Sequence, residues 1–443
     1  MPIYKKGNKL KCENYRGIAL LPTVYKILSV AICRRLVEWG ERILGEYQSG
    51  FRPGRSTTDH LFAIRQMLEK AHEYGVDLHH LFIDFRQAYD SVDRAKMLEA
   101  LESLGVPGKL IRLTRMTLAK TVCKVRTSVG VSDSFGVTCG LRQGDPLSPV
   151  LFNLCLEFAI RKIRTNPGGT IYNRLTQHMA YADDVVITGR NIAALAGALE
   201  EFARGAQDLG LKINSEKTKY MKTSRQASGQ GDVIVLGEYT FPTCTSFKYL
   251  GGIVTENTSI EDDIRARIVA GTRCFYGLQK ALQLKNLSIK AKIIIYKTIV
   301  RPIVMYGSET WTLTKEGCRT LLVWERRVLR RIYGAIKEGN RWRIRSNAEL
   351  AELYGEPDIV SVIKKGRLRW LGHVERMEPS RLPRKMLYGA PGGKRKRGRP
   401  RLRWLDDLEA DLRCLGIRGW RGMAGNREEW SRMVAEAQVL QGL

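Results

Sequence analysis

Three aspartates stand where a carboxylate is costly. Asp84 closes the apolar run HHLFIDF, and Asp183 and Asp184 lie at the centre of MAYADDVVIT, apolar on both flanks. A carboxylate at the edge of a buried strand loses hydration unless it is hydrogen-bonded or metal-bound, and adjacent acids at a tight turn repel unless a cation bridges them. Magnesium answers both needs, because it takes one or two carboxylates and completes its shell with water and substrate phosphates. Two such ions about 4 Å apart would activate an attacking hydroxyl and stabilise the leaving oxygen of an in-line phosphoryl displacement, which is nucleotidyl transfer. The plainer alternative keeps Asp84 as a helix cap and Ala182–Asp184 as an ordinary hairpin turn.

The elements that position these acids follow from periodicity and punctuation. His79 to Phe85 reads as a short buried strand, and Ser91 or Asp93 caps a helix that runs toward Leu104 until GVPG stops it. Thr121 to Val129 and Ser132 to Thr138 read as a hairpin, and GLRQGDPLSP turns into the apolar helix Val150 to Ile163. Two short strands enclose the acid pair, followed by an alanine-rich helix from Ile192 to Leu209. Upstream lie basic turns (YKKG, NYRGI), an amphipathic segment from Leu20 to Trp39, the Gly/Pro loop GFRPGRSTTD and a helix near Leu61 to Tyr74. Beyond Ile260 the pattern turns helical and basic through Tyr276–Leu284, Ser288–Tyr306 and Leu321–Tyr333. No repeat of fixed period is present, although RLRW recurs at Arg367 and Arg401.

Composition narrows the partner. Seventy-four Lys and Arg against 45 acids give 443 residues a formal charge of +29, so a polyanion is expected. No stretch approaches the roughly eighteen apolar residues of a span: Lys26 interrupts Ile18–Cys33, and Lys297 and Arg301 interrupt Ile293–Tyr306. The expectation is no membrane and a soluble, intracellular chain. Nine cysteines without a CxxC pair or zinc spacing read as reduced thiols.

Seven motifs in order, NYRGIALL, GFRPGRSTTDH, FIDFRQAYDSV, GLRQGDPLSP, YADD, GLKINSEKTK and FKYLGG, resemble the reverse transcriptases of non-LTR (LINE-type) retrotransposons over roughly residues 3 to 255. The resemblance implies an RNA-directed DNA polymerase that extends a primer 3′-hydroxyl with dNTPs on an RNA template, using two Mg²⁺ ions, by target-primed reverse transcription in the parent element. It implies that Asp84 and Asp183 hold both metals, with Asp184 in support and the Phe85 carbonyl as a further ligand. Tyr89 stands where the family places a ring under the incoming sugar, leaving no room for a 2′-hydroxyl; a core aromatic at a helix start is the alternative. Gln143, with Gly144, is similar to the residue beside the incoming base, while Asp145 and Ser148 read as turn and cap residues. Lys217 resembles the lysine that protonates departing pyrophosphate, with Lys219 or a solvated surface role as competitors. Among the basic loops carrying Lys5, Lys6, Arg16, Arg52 and Arg55, Arg16 and Arg52 are the candidates for nucleotide contacts. Tyr249, Leu250 and Gly251 resemble the turn that holds the primer terminus.

The implied fold is α+β, a right-hand polymerase with fingers and palm over 1–258, a helical thumb over 259–336 and a basic, mostly helical nucleic-acid-binding region over 337–443. Within the last, 394–403 carries seven cations around Arg397, Gly398, Arg399, Pro400 and Arg401. A Gly-Arg-Pro core resembles an AT-hook, thin enough for an A·T minor groove; a nuclear localisation signal and a solvated linker are the alternatives. Trp370 and Trp404 read as packing anchors rather than stacking platforms. Expected partners are template RNA, a DNA primer in target DNA, and dNTPs, in the nucleus or bound to element RNA in the cytoplasm. Family members usually carry an endonuclease and none is visible here, so an N-terminally truncated copy is expected. The rival readings are a catalytically decayed nucleic-acid-binding remnant and an RNA-dependent RNA polymerase, against which Tyr89 argues.

Overall fold

The computed structural model describes residues 1–163, 170–225, 231–284, 286–392, 395 and 402–436. Helices and strands are mixed throughout, as the α+β expectation requires. The chain divides into two compact units, one of 1–60 with 77–244 and one of 61–76 with 245–443.

The first unit is built on a four-stranded antiparallel sheet. Its inner strand, Leu78–Ile83, is buried at every residue, as the apolar run LHHLFI demands. It pairs on one side with Asp184–Gly189 and on the other with Lys219–Thr223, and Thr176–Tyr181 forms the outer edge beyond Asp184–Gly189. Helices Ser148–Arg161 and Ile192–Gln207 contribute Leu151, Phe152, Leu195, Leu199 and Phe202 to the same core cluster as Leu81, Ile83, Val185 and Ile187 of the sheet. Both expected helix starts are capped by side chains: Asp93 accepts from the Ala95 and Lys96 amides, and Asn191 from that of Ala194. Ser91 instead ends a separate short helix, Ala88–Ser91. The hairpin expected over 121–138 shrinks to two-residue strands, Val122–Cys123 and Phe135–Gly136.

The second unit gathers helix residues 61–74 with later helices. Asp263, buried on the helix Glu261–Gly277, accepts from the Arg65 guanidinium at 2.7 Å and from the Trp311 indole at 2.9 Å. Trp370 and Trp404 both pack edge-on against Phe62, so they are core residues. The expected continuous helix Ser288–Tyr306 is a composite: α-helix Ile289–Ile295, a wider π turn at Tyr296–Val300, and Arg301–Met305. Pro302 supplies the reason, since it has no N–H and its ring crowds the carbonyl four residues back. Among the described residues no helix is long and apolar enough to cross a membrane, and no disulfide joins the cysteines.

Candidate active site

Strand register brings the three acids to one end of the sheet. Ile83 pairs with Val185, so one further step places Asp84 opposite Asp184, while Asp183 occupies the turn between Tyr181 and Asp184. That turn is built under strain. Ala182 sits at φ +55°, a left-handed conformation costing an L-residue roughly 1–2 kcal/mol. A second loop holds it there: the Gln48 side-chain oxygen accepts from the Ala182 amide at 3.2 Å and from the Gly50 amide at 2.8 Å. A Cβ on Gly50 would stand 2.3 Å from the Ala182 nitrogen, so only glycine permits this approach. Asn153 completes the clamp by donating to the Gly50 carbonyl at 2.6 Å. Gln48 and Asn153 escaped the sequence reading; the glycine of QSGF was the available signal.

Asp84 is fixed through its backbone, its amide donating to Thr218 Oγ1 at 3.1 Å and its carbonyl accepting from Asn214 at 2.8 Å. Its Oδ2 is buried without a hydrogen-bond partner among the described residues, and the Lys217 ammonium lies 3.6 Å from that oxygen. Asp183 and Asp184 are both exposed to solvent at the tip of the turn. Desolvation, followed by repulsion from Asp183 and Asp84, pushes Asp184 up to about 6. Asp183 is also raised, by desolvation first and then by Asp84, while the Arg16 guanidinium opposes the shift. A carboxylate oxygen without a hydrogen bond, faced by Lys217 at 3.6 Å, and mutually repelling acids fit a divalent cation. Among the described residues no three His, Cys, Asp or Glu side chains come close enough to hold an ion by themselves. A site completed by substrate phosphates does not need a third protein ligand.

The residues expected around the nucleotide largely converge. Tyr89 is half-buried and stacks face-on with Phe152, centroids 4.7 Å apart and planes at 13°. Desolvation and the nearby Asp183 charge raise its phenol. The backbone of 89–92 is stitched to the glycine loop, with Leu141 donating to the Tyr89 carbonyl at 2.7 Å and Gly140 to that of Val92 at 2.8 Å. Gln143 then reaches the Asp90 carboxylate at 3.3 Å. Gly144 (φ +105°) lies against the Ala19 carbonyl, and Ala19 donates to the Gln143 carbonyl at 2.8 Å, which joins NYRGIA to the loop. Asp145 is a turn residue, accepting from Tyr25 and Ser29 and from the Leu147 amide, and Ser148 donates to the Arg142 carbonyl. Arg16, paired with Ile3 across a two-stranded ribbon, acts with Lys5 on Asp90 and also on Asp183.

Arg52 requires correction. Its side chain is only 3% exposed and forms a fork on Glu41, both bonds 3.0 Å, while Nη1 donates to the Gly45 and Gln48 carbonyls. Its donors are spent on Glu41 of the preceding helix and on two carbonyls of its own loop, so in this structure Arg52 braces the turn that presents Gln48 instead of standing free as expected. Arg55 is likewise forked on Glu46.

In the second unit, Tyr249 is buried, and Leu250 and Gly251 form the turn between Ser246–Tyr249 and Gly252–Thr255, both at positive φ. Tyr306 donates to the Leu250 carbonyl at 2.9 Å, and Arg267 to that of Gly251. Phe85 buries its ring beside Phe202. Arg397, Gly398, Arg399, Pro400 and Arg401 lie outside the described residues.

A family described as reverse transcriptase (RNA-dependent DNA polymerase) matches residues 3–254. Among curated relatives, a transposon TX1 149 kDa protein of Xenopus laevis is 28% identical over 228 residues, covering 51% of this chain and 17% of that protein. A probable RNA-directed DNA polymerase from transposon X-element of Drosophila melanogaster is 27% identical over 323 residues, covering 70% of this chain and 34% of the relative. The chain therefore spans about a third or less of their length. An apo telomerase from Candida tropicalis superposes with a TM-score of 0.39 and 12% identity, covering 94% of this chain and 61% of that one, a likeness too loose to bear on the fold.

Proposed function

This chain belongs to the reverse transcriptase (RNA-dependent DNA polymerase) family, and from that premise we propose that its first unit adds dNTPs to a primer 3′-hydroxyl on an RNA template. The observation carrying the proposal is the meeting of Asp84, Asp183 and Asp184 at one sheet end, with Tyr89, Arg16 and Gln143 around them. Asp84, Asp183 and the Phe85 carbonyl would hold Mg²⁺, which when bound supplies Lewis-acid stabilisation at the attacking and leaving oxygens. Arg16 and Lys5 orient the triphosphate by charge. Tyr89, braced by Phe152, closes the space a 2′-hydroxyl would need. Lys217 holds a proton beside Asp84, within reach of a departing pyrophosphate. Target-primed synthesis on DNA and work in the nucleus extend this reading, with the run 394–403 as the DNA contact; a tagged chain that stays cytoplasmic would overturn the nuclear part.

The test is Mg²⁺-dependent dNTP incorporation on an RNA template with an annealed DNA primer. Asp183→Asn is expected to lower kcat at least a thousandfold, on the order of 4 kcal/mol, with nucleic-acid binding retained. Tight binding without synthesis in the unaltered chain would favour a decayed, binding-only protein.

A further inference from the structure

The second unit carries an indole that the protein leaves uncovered. Strands Ile336–Glu338 and Arg341–Arg343 form a two-stranded ribbon with Lys337 opposite Trp342. Opposite residues share a face and alternate residues return to it, so Lys337, Trp342 and Ile344 lie on one side and Ile336 and Arg343 on the other. Trp342 is 69% exposed and Ile344 75%. The opposite side is firmly anchored. Arg343 forks onto Glu349 at 2.6 and 2.8 Å and reaches Glu338 at 2.7 Å, and Glu349 also accepts from the Ser346 amide to cap the helix Asn347–Tyr354. Arg345 donates to the Gly334 carbonyl, and Arg330 to that of Arg345.

The ribbon's carboxylate, Glu338, and Glu349 of the following helix are thus spent on Arg343. Lys337 and Arg341 are exposed and have no ion-pair partner among the described residues. A solvent-facing tryptophan with the unpaired Lys337 opposite it on the same face suits a ligand with both an aromatic face and a phosphate backbone.

We propose that this ribbon is a contact for single-stranded nucleic acid, in which an unpaired base stacks on Trp342 beside Ile344 while Lys337, on the same face, neutralises a flanking phosphate. The strand is single because a base offers its face only when it is not sandwiched in a duplex. The contact is independent of the polymerase reaction, and its test contains no divalent metal and no nucleotide.

The full chain is titrated with a labelled homopolymeric single strand and with a blunt duplex of equal length, over a range of salt. Trp342→Ala is expected to weaken single-strand binding about tenfold while duplex binding changes less than about twofold. Trp342→Phe should keep most of the affinity, and Trp342→Leu should behave like alanine. The variant Lys337→Gln should lower the salt slope by about 1. Single-strand affinity unchanged in Trp342→Ala, equal losses for single strand and duplex, or leucine performing as well as phenylalanine would each overturn the proposal. The Phe and Leu variants differ in stacking while both retain an apolar side chain, so their comparison holds even if alanine loosens the ribbon.

Discussion

Arg16 and Arg52 carry the same guanidinium, one on a short ribbon strand and the other in a loop, yet only Arg16 is felt by the acid cluster. The difference is Glu41, on the last turn of the helix that precedes Arg52's loop and invisible as a partner in the linear sequence. Arg52→Ala is therefore expected to cost about 3 kcal/mol of stability by leaving Glu41 and two carbonyls without their donor, with KM for dNTP little changed. Denaturant melts together with steady-state kinetics would decide, and a large KM increase at unchanged stability would restore Arg52 to the nucleotide. Tyr89 belongs to the same scale. Tyr89→Ala removes the ring that Phe152 supports and should raise kcat/KM for ribonucleotides relative to dNTPs by tenfold or more, on the order of 1.4 kcal/mol. Unaltered sugar discrimination would leave Tyr89 as a packing residue.

At the scale of elements, the YADD turn depends on a loop about 130 residues earlier in the chain. Gly50→Ala would drive a methyl into the Ala182 amide and displace Asp183, so kcat should fall about a hundredfold with substrate binding nearly intact. Single-turnover rates measured at saturating primer-template would show it; a normal rate would mean the turn can move aside without harm. The strands and helices around the acids were legible because each is a short apolar run bounded by Gly, Pro or a capping residue, as with Asp93 and Asn191. Less legible were features set by distant partners. The helical pattern expected beyond Ile260 begins with the helix Glu261–Gly277, but its buried Asp263 is paired with Arg65, some two hundred residues away in the chain. The ribbon Ile336–Arg343 falls in a stretch whose charge pattern suggested helices, and Arg343 is satisfied only through Glu349.

For the whole molecule, the charge of +29 is one constraint and the almost wholly enclosed His60, His80 and His178 are another. Burial lowers His60 and His80 to about 3 and His178 to about 4, with smaller contributions from Arg55 at His60 and from His79 at His80. The folded first unit keeps these rings neutral, whereas the unfolded chain protonates them below about 6.5. Their stabilisation is full above pH 6.5 and declines as pH falls toward 4, reaching a loss of about 2 kcal/mol per histidine at pH 5. Melting temperature should drop between pH 7 and 5, and His178→Leu should flatten that drop; a pH-independent melt would show that the rings find other relief. The helix Thr57–Tyr74, finally, begins in one compact unit and continues in the other. Phe62 therefore leaves the ribosome long before Trp370 and Trp404, the rings that cover it, and at about 5–20 residues per second the wait is on the order of tens of seconds. During that interval the Phe62 side of the helix lacks the cover it has in the finished fold, an exposure of the kind that makes incomplete chains prone to aggregate.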